Sequence, residues 1–247
     1  MTINYREHIP TWKEIREILV ADIILILAFD LTIIGGISSL REYYPTFIYF
    51  LPITAVGVTL SFVLHELMHK FVAQRFGAMA AFMRSSTGSI ITILSALFGF
   101  LIGIPGATVI YSNSFTRREQ GYVSLAGPLT NFMVFLVFLA IGVLLYPNFL
   151  NNVLDTFGNY ASLGYIQNMI NFTLFISLLL AFFNMLPIPP LDGSKILAWN
   201  KPVFVAVILV IFILFVSIMP LFSFISMMAI WLVIAFLFSM FYRTIGL

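Results

Sequence analysis

Long apolar stretches, each bounded by charged residues or by Pro and Gly, dominate the pattern of hydrophobic and polar positions along this 247-residue chain. A membrane-crossing helix needs about 20 mostly apolar residues to span a hydrocarbon core roughly 30 Å thick. Five stretches clearly reach this length: about 46–69, 121–146, 163–186, 202–220 and 222–242. A sixth, about 17–39, contains Asp22 and Asp30 but is still long enough to cross. The pattern predicts an all-α polytopic membrane protein with about six transmembrane helices.

A further apolar stretch, about 89–111, does not fit a seventh crossing. Three glycines and a proline interrupt it, and residues 107–111 have the composition of a β-strand. If this stretch enters and leaves on one side, eleven of the twelve Lys and Arg residues fall on one face and only Arg41 falls on the other. Because positive charge concentrates in cytoplasmic loops, we expect a re-entrant, strand-containing segment and two cytoplasmic termini.

The composition removes several classes of protein and site. Hydrophobic residues make up 61% of the chain and charged residues 9%, and the mean hydropathy is +1.07. A soluble domain carries roughly 25% charged residues, so disorder, coiled coil and a water-soluble fold are excluded. No basic run suggests a nucleic-acid partner. The chain has no cysteine, so any metal must bind to His, Asp or Glu.

The end of the second predicted helix contains the sequence His65-Glu66-Leu67-Met68-His69. Residues four apart lie above one another on a helix, so both imidazoles can bind one ion while Glu66 faces the water that the ion holds. Zinc with two His ligands, a carboxylate and an open position is a hydrolytic arrangement. The alternative is a pair of packed histidines beside a paired Glu. Three ionisable groups inside a crossing helix are costly, however, and by default they mark a functional site.

A third metal ligand is expected from the segment Asn184 to Gly193. Its three prolines cannot continue a helix, so we expect the fifth crossing to unwind near Leu186 and to leave Asp192 on irregular backbone. The second and fifth predicted helices both run towards the cytoplasmic side, which places His69 and Asp192 at comparable depth. The alternative is that Asp192 belongs to an Asp-Gly turn without a ligand role.

These residues resemble the site-2 proteases, a family of intramembrane zinc metallopeptidases. Three motifs carry the resemblance: His65-Glu66-x-x-His69, Ala126-Gly127-Pro128-Leu129-x-Asn131 and Asn184-x-x-Pro187-x-x-Pro190-Leu191-Asp192-Gly193. They follow the order of the family and lie within a core of about 46–195. The resemblance implies one zinc ion per chain.

The resemblance also implies a role for each matching residue. It makes His65, His69 and Asp192 the zinc ligands and Glu66 the catalytic base and acid. Asn184 would orient the substrate or the tetrahedral oxyanion, a role that suits its amide donors.

The resemblance implies a single membrane-embedded domain over residues 1–247, similar to a minimal archaeal member and without a PDZ or CBS domain. The crossings at about 17–39, 202–220 and 222–242 would then be peripheral. The implied activity is hydrolysis of peptide bonds within or next to transmembrane segments of membrane proteins, in a prokaryotic cell membrane. Its implied partners are these substrates and the lipid bilayer, and the oligomeric state stays open.

Two other functions compete with this interpretation. A metal-cation transporter, or a metal-binding membrane protein without proteolytic activity, could use the same ligands together with Asp30 as a cation path. Such a protein needs no base beside the ion, whereas hydrolysis needs Glu66. A zinc protease that trims prenylated tails ranks last, because such enzymes lack the segment from Asn184 to Gly193. Asp30 is equally compatible with a gating role and with a structural hydrogen bond.

Overall fold

The computed structural model describes residues 10–111, 115–150 and 163–218. In these ranges the helices are α1 (Trp12–Ile33), α2 (Tyr44–Arg75), α3 (Ser86–Leu97), α4 (Arg117–Leu145), α5 (Tyr165–Asn184), α6 (Asp192–Trp199) and α7 (Lys201–Ile218). The strands are β1 (Met79–Arg84) and β2 (Gly106–Tyr111), and a short 3-10 helix spans Ile37–Ser39. The protein is therefore mostly helical with one small sheet, as the pattern of apolar stretches predicts.

Three of the described helices, α2, α4 and α5, are long and apolar enough to cross a membrane. Helix α1 has 22 residues but carries six ionisable side chains, so it does not meet the same standard of composition. The apolar part of α7 is shorter than a crossing within the described residues, and the predicted stretch 222–242 lies outside them. Six crossings therefore stay a prediction.

The three membrane-length helices pack against one another and form the centre of the molecule. Close approach of α2 and α5 depends on small side chains. A Cβ added at Gly57 of α2 would lie 2.7 Å from the ring of Phe172 on α5. Further along the same interface, the hydroxyls of Ser61 and Ser177 form a buried hydrogen bond of 2.7 Å. Apolar clusters flank this interface, one extending to α6 and α7 and the other to α1 and β1.

The predicted re-entrant stretch contains a helix, an irregular segment and a strand. The strand prediction is confirmed for β2, which pairs antiparallel with β1 so that Thr108 lies opposite Phe82. The first part is helical instead, because α3 occupies Ser86–Leu97. With 12 residues, α3 is about 18 Å long, too short for a crossing. Strand β1 was not predicted, since Met79–Arg84 contains no β-branched residue.

The irregular segment between α3 and β2 runs back along α3, and hydroxyl groups of the helix satisfy its backbone. The Thr92 hydroxyl donates to the carbonyl of Ile102 at 2.9 Å and accepts from the amide of Ile104 at 3.2 Å. One turn later, Ser95 accepts from the amide of Ile102 at 2.9 Å. Gly88 lets the segment lie close against α3, because a Cβ there would lie 2.0 Å from the Ile104 carbonyl oxygen. Non-helical backbone is thus satisfied by protein, as a location inside a membrane requires.

The buried acidic side chains of α1 connect this helix to α2 and to the sheet. Glu14 forms a buried ion pair with Lys70 of α2 and accepts a 3.0 Å hydrogen bond from the amide of Phe82 on β1. Further along, the Thr59 hydroxyl donates to Asp22 at 2.6 Å. These partners explain how α1 accommodates the buried carboxylates of Glu14 and Asp22.

Candidate metal centre

The final third of α2 brings three ionisable side chains to its buried face. His65 and His69 are one helical turn apart, and their Nε2 atoms are 3.0 Å from each other. Both imidazoles and the intervening Glu66 are buried. The structure therefore places the two predicted metal ligands side by side, as the four-residue spacing implies.

Asp192 reaches the same point from a different element. Helix α5 ends at Asn184, two residues before the predicted position, and the proline-rich segment leads directly into α6. The Oδ2 atom of Asp192 lies 3.0 Å from Nε2 of His69 and 3.5 Å from Nε2 of His65. One part of the prediction is wrong, because Asp192 is the first residue of a helix and does not lie on irregular backbone.

The glycine after Asp192 has a packing role and does not form the turn considered as an alternative. A Cβ added at Gly193 would lie 2.1 Å from the carbonyl oxygen of Met185, so only glycine lets α6 begin this close to the end of α5. This close approach is what carries Asp192 back to the histidines of α2.

The three donor atoms fit a single zinc ion. They lie 3.0–3.5 Å from one another, and ligands of tetrahedral zinc are about 3.3 Å apart when each bond is about 2.0–2.1 Å long. Space beside them comes from Gly127 of α4, where a Cβ would lie 2.5 Å from the Nε2 atoms of both histidines. Two imidazoles and one carboxylate leave a tetrahedral ion one open position, which is the arrangement of a catalytic site.

Neighbouring groups hold each donor in place. The Nδ1 atom of His69 is 2.7 Å from the carbonyl oxygen of Val123, and Nδ1 of His65 is 3.1 Å from the amide nitrogen of Asn131. Burial raises the pKa of Asp192, but the adjacent imidazoles outweigh this effect and hold the pKa of Asp192 below its usual range. A carboxylate that stays ionised is what a metal ligand requires.

Glu66 lies beside the donors and is held by the sheet. Its Oε2 atom accepts hydrogen bonds from the backbone amide of Thr108 at 2.7 Å and from the Thr108 hydroxyl at 2.8 Å. The same hydroxyl is 3.0 Å from the Glu66 carbonyl oxygen. Thr108 was not identified as a site residue from the sequence, although it lies within the predicted strand.

The structure does not bring Asn184 into the donor cluster. Its amide donates to the carbonyl of Leu180 on its own helix at 2.9 Å. Within the described part of the chain, no hydrogen bond joins Asn184 to His65, His69 or Asp192. Its suggested role towards the substrate therefore stays a prediction.

Comparison with known proteins decides which family of zinc enzymes this centre belongs to. Residues 53–200 match Peptidase family M50. The chain belongs to this family. A protein of Methanocaldococcus jannaschii named as a zinc metalloprotease is 38% identical over 175 residues, which cover 69% of this chain and 83% of the relative. A protein of Bacillus subtilis with the same kind of name is 30% identical over 166 residues, covering 63% of this chain and 71% of the relative. No solved structure matches the chain.

Membership of family M50 confirms the resemblance to site-2 proteases and makes the chain a zinc metalloprotease of the membrane. The matched residues run from the first third of α2 to the end of α6. They include every residue that the sequence motifs single out, from His65 to Asp192. The carrier without proteolytic activity, considered from the sequence, is thereby disfavoured.

Proposed function

We propose that this M50 protease hydrolyses peptide bonds within or next to the transmembrane segments of other membrane proteins. The observation that carries the proposal is the location of the donor cluster. His65, Glu66 and His69 belong to a helix of membrane-crossing length, and Asp192 joins them from the start of α6, shortly after a second such helix ends. A hydrolytic centre built into such helices is suited to substrates that are themselves embedded in the bilayer.

In this proposal His65, His69 and Asp192 bind the ion, and Glu66 moves the proton. A bound zinc ion supplies an activated water molecule and polarises the scissile carbonyl. Glu66 accepts a proton as the new carbon–oxygen bond forms and returns it to the nitrogen as the carbon–nitrogen bond breaks. Because Thr108 engages Oε2, we assign the proton to Oε1.

We propose that the substrate enters as an extended strand along the outer edge of β2. Thr108 lies opposite Phe82 of β1, and its amide points away from β1 towards Glu66. A peptide added to this edge would lie beside Glu66, which already accepts from the Thr108 amide, and would have its backbone exposed, whereas a helix buries its peptide bonds. Asn184 could then contact the substrate carbonyl only after its amide turns away from Leu180.

We propose further that the chain is a single multi-pass domain in a prokaryotic cell membrane, with both termini in the cytoplasm. Three membrane-length helices and the asymmetric distribution of Lys and Arg support this arrangement. The two relatives belong to Methanocaldococcus jannaschii and Bacillus subtilis, which agrees with a prokaryotic location.

The test compares the native protein with Glu66→Gln in detergent, using a model single-helix substrate and elemental analysis of zinc. Both proteins should contain about one zinc per chain, but only the native protein should cleave, and a chelator should abolish the cleavage. Glu42→Gln is the matched control, because Glu42 is exposed in the loop before α2. This variant should cleave the substrate normally. If the native protein binds zinc but cleaves nothing, while metal flux into liposomes depends on Asp192, a carrier function replaces the proposal.

A further inference from the structure

The two histidines of the metal centre differ in what faces their Nδ1 atoms. His69 faces the backbone carbonyl of Val123 at 2.7 Å. A carbonyl can only accept a hydrogen bond, so it fixes the proton of this imidazole on Nδ1 and leaves the Nε2 lone pair for a metal. His65 faces the side-chain amide of Asn131 at 3.1 Å. An amide can donate or accept, so the partner of His65 does not by itself fix the proton.

Asn131 is placed as a supporting residue for the metal centre. It lies on α4 one turn after Gly127, which borders both Nε2 atoms, and its side chain is completely buried. Its nitrogen contacts His65, whereas its oxygen has no hydrogen-bond partner within the described residues. An amide has nearly the same shape after a half turn about its terminal bond, so either atom can face Nδ1 of His65.

We propose that Asn131 is a positioning residue that presents its amide oxygen to the Nδ1 proton of His65 and thereby fixes this imidazole with Nε2 towards the zinc ion. The two histidines then have equivalent support, one from a backbone carbonyl and the other from a side-chain carbonyl. Metal-bound histidines almost always donate their other ring N–H in this way, and the acceptor fixes both the tautomer and the ring orientation.

An ordinary interhelical hydrogen bond is the competing explanation, and the chain offers an example for comparison. Asn168 of α5 is also completely buried, and its amide donates to the hydroxyl of Tyr49 on α2 at 2.9 Å. Removal of that contact should weaken helix packing without a specific effect on zinc. Asn168→Leu is therefore the matched control for Asn131→Leu.

The experiment measures the zinc dissociation constant by chelator competition for the native protein, Asn131→Leu, Asn131→Asp and Asn168→Leu. Asn131→Leu should bind zinc roughly 10- to 100-fold more weakly, the usual effect of losing such a support. Asn131→Asp keeps an oxygen acceptor and should stay within a few-fold of the native constant, as should Asn168→Leu. With cobalt in place of zinc, the absorption bands should change for Asn131→Leu alone.

Native-like zinc affinity in Asn131→Leu would overturn the proposal. Equal weakening in the Leu and Asp variants would also overturn it, because shape rather than an acceptor would then matter. If the Leu variant does not fold, Asn131→Ala removes the amide without added bulk and decides the matter in the same assay. The proposal rests on the zinc site and not on proteolysis. Absence of substrate cleavage by the native protein would therefore not affect the comparison of zinc dissociation constants.

Discussion

The metal centre and the irregular segment between α3 and β2 bury polar groups in opposite ways. The metal centre brings together ionisable side chains, His65 and His69 from α2 and Asp192 from α6, which together suit one ion. The irregular segment brings backbone amides and carbonyls to hydroxyl groups of α3, such as Thr92 and Ser95. The first arrangement provides the ligands of a metal ion. The second provides hydrogen-bond partners for non-helical backbone.

Because of this difference, we expect substitutions in the two regions to affect different properties of the protein. Removal of one donor from the metal centre should abolish activity while the fold persists, because the helices that carry the donors are held by extensive apolar packing. Removal of one hydroxyl from the segment should lower stability while the zinc site persists. Single substitutions in each region distinguish these two outcomes.

Asp192→Asn tests the donor set most severely. An amide oxygen is a poor zinc ligand beside two imidazoles, so zinc content should fall well below one per chain and cleavage should fall at least about 1,000-fold. Elemental analysis and product formation measure both effects. Asp22→Asn is the control, because Asp22 is a buried aspartate of α1 outside the donor cluster. Its carboxylate accepts a hydrogen bond from the Thr59 hydroxyl. Equal loss of zinc in both variants would contradict the prediction.

Gly127→Ala tests the space beside the two imidazoles. The new Cβ would lie 2.5 Å from both Nε2 atoms, close to where an ion bonded to them must sit. Zinc affinity should therefore fall by about 100-fold or more, measured by chelator competition. Gly164→Ala, with nothing within 4 Å of its added Cβ, should bind zinc normally. Retention of full affinity in Gly127→Ala would show that the ion lies elsewhere.

Thr108→Val tests the connection between the sheet and Glu66. The change removes the hydroxyl bond to Oε2 but leaves the backbone amide in place. One hydrogen bond to a charged group contributes about 1.5–3 kcal/mol, so kcat should fall roughly 10-fold or more while zinc content stays constant. Thr108→Ser should restore kcat. Unchanged kcat in Thr108→Val would contradict the prediction, because Val keeps the methyl group and lacks only the hydroxyl.

Thr92→Val tests the irregular segment. The variant leaves the amide of Ile104 and the carbonyl of Ile102 without the hydroxyl, which should lower the free energy of unfolding by about 1–3 kcal/mol. Thermal unfolding in detergent measures the effect, and zinc content should not change. Thr87→Val is the matched control, because Thr87 is exposed on the same helix. A loss of zinc from Thr92→Val would contradict the separation of the two regions.

The donor set could be predicted from the sequence because local geometry determines most of it. Spacing of four residues on a helix brings His65 and His69 together wherever the helix packs. Asp192 could be predicted because prolines must end α5 next to it, although the sequence did not reveal that a new helix begins there. Gly127 belongs to one of the motifs that carry the family resemblance, but its position against both imidazoles became visible only in the packed structure.

The contacts that support these donors could not be predicted, because they join distant positions through tertiary packing. Thr108 lies 42 residues from Glu66, and their contact requires β2 to pair with β1 and to lie against α2. Val123 contributes only a backbone carbonyl, which no side-chain pattern reveals. The helical form of α3 was missed because its small hydroxyl residues also suit irregular structure.

The position of the cut in a single-helix substrate tests the proposed intramembrane proteolysis. Zinc-loaded native protein in lipid vesicles, incubated with a single-helix substrate, yields products whose termini mass spectrometry can locate. We expect a cut within the transmembrane segment or next to it, and no product with Glu66→Gln. Cuts confined to the soluble flanks of the substrate, or equal cleavage by Glu66→Gln, would contradict the proposed function.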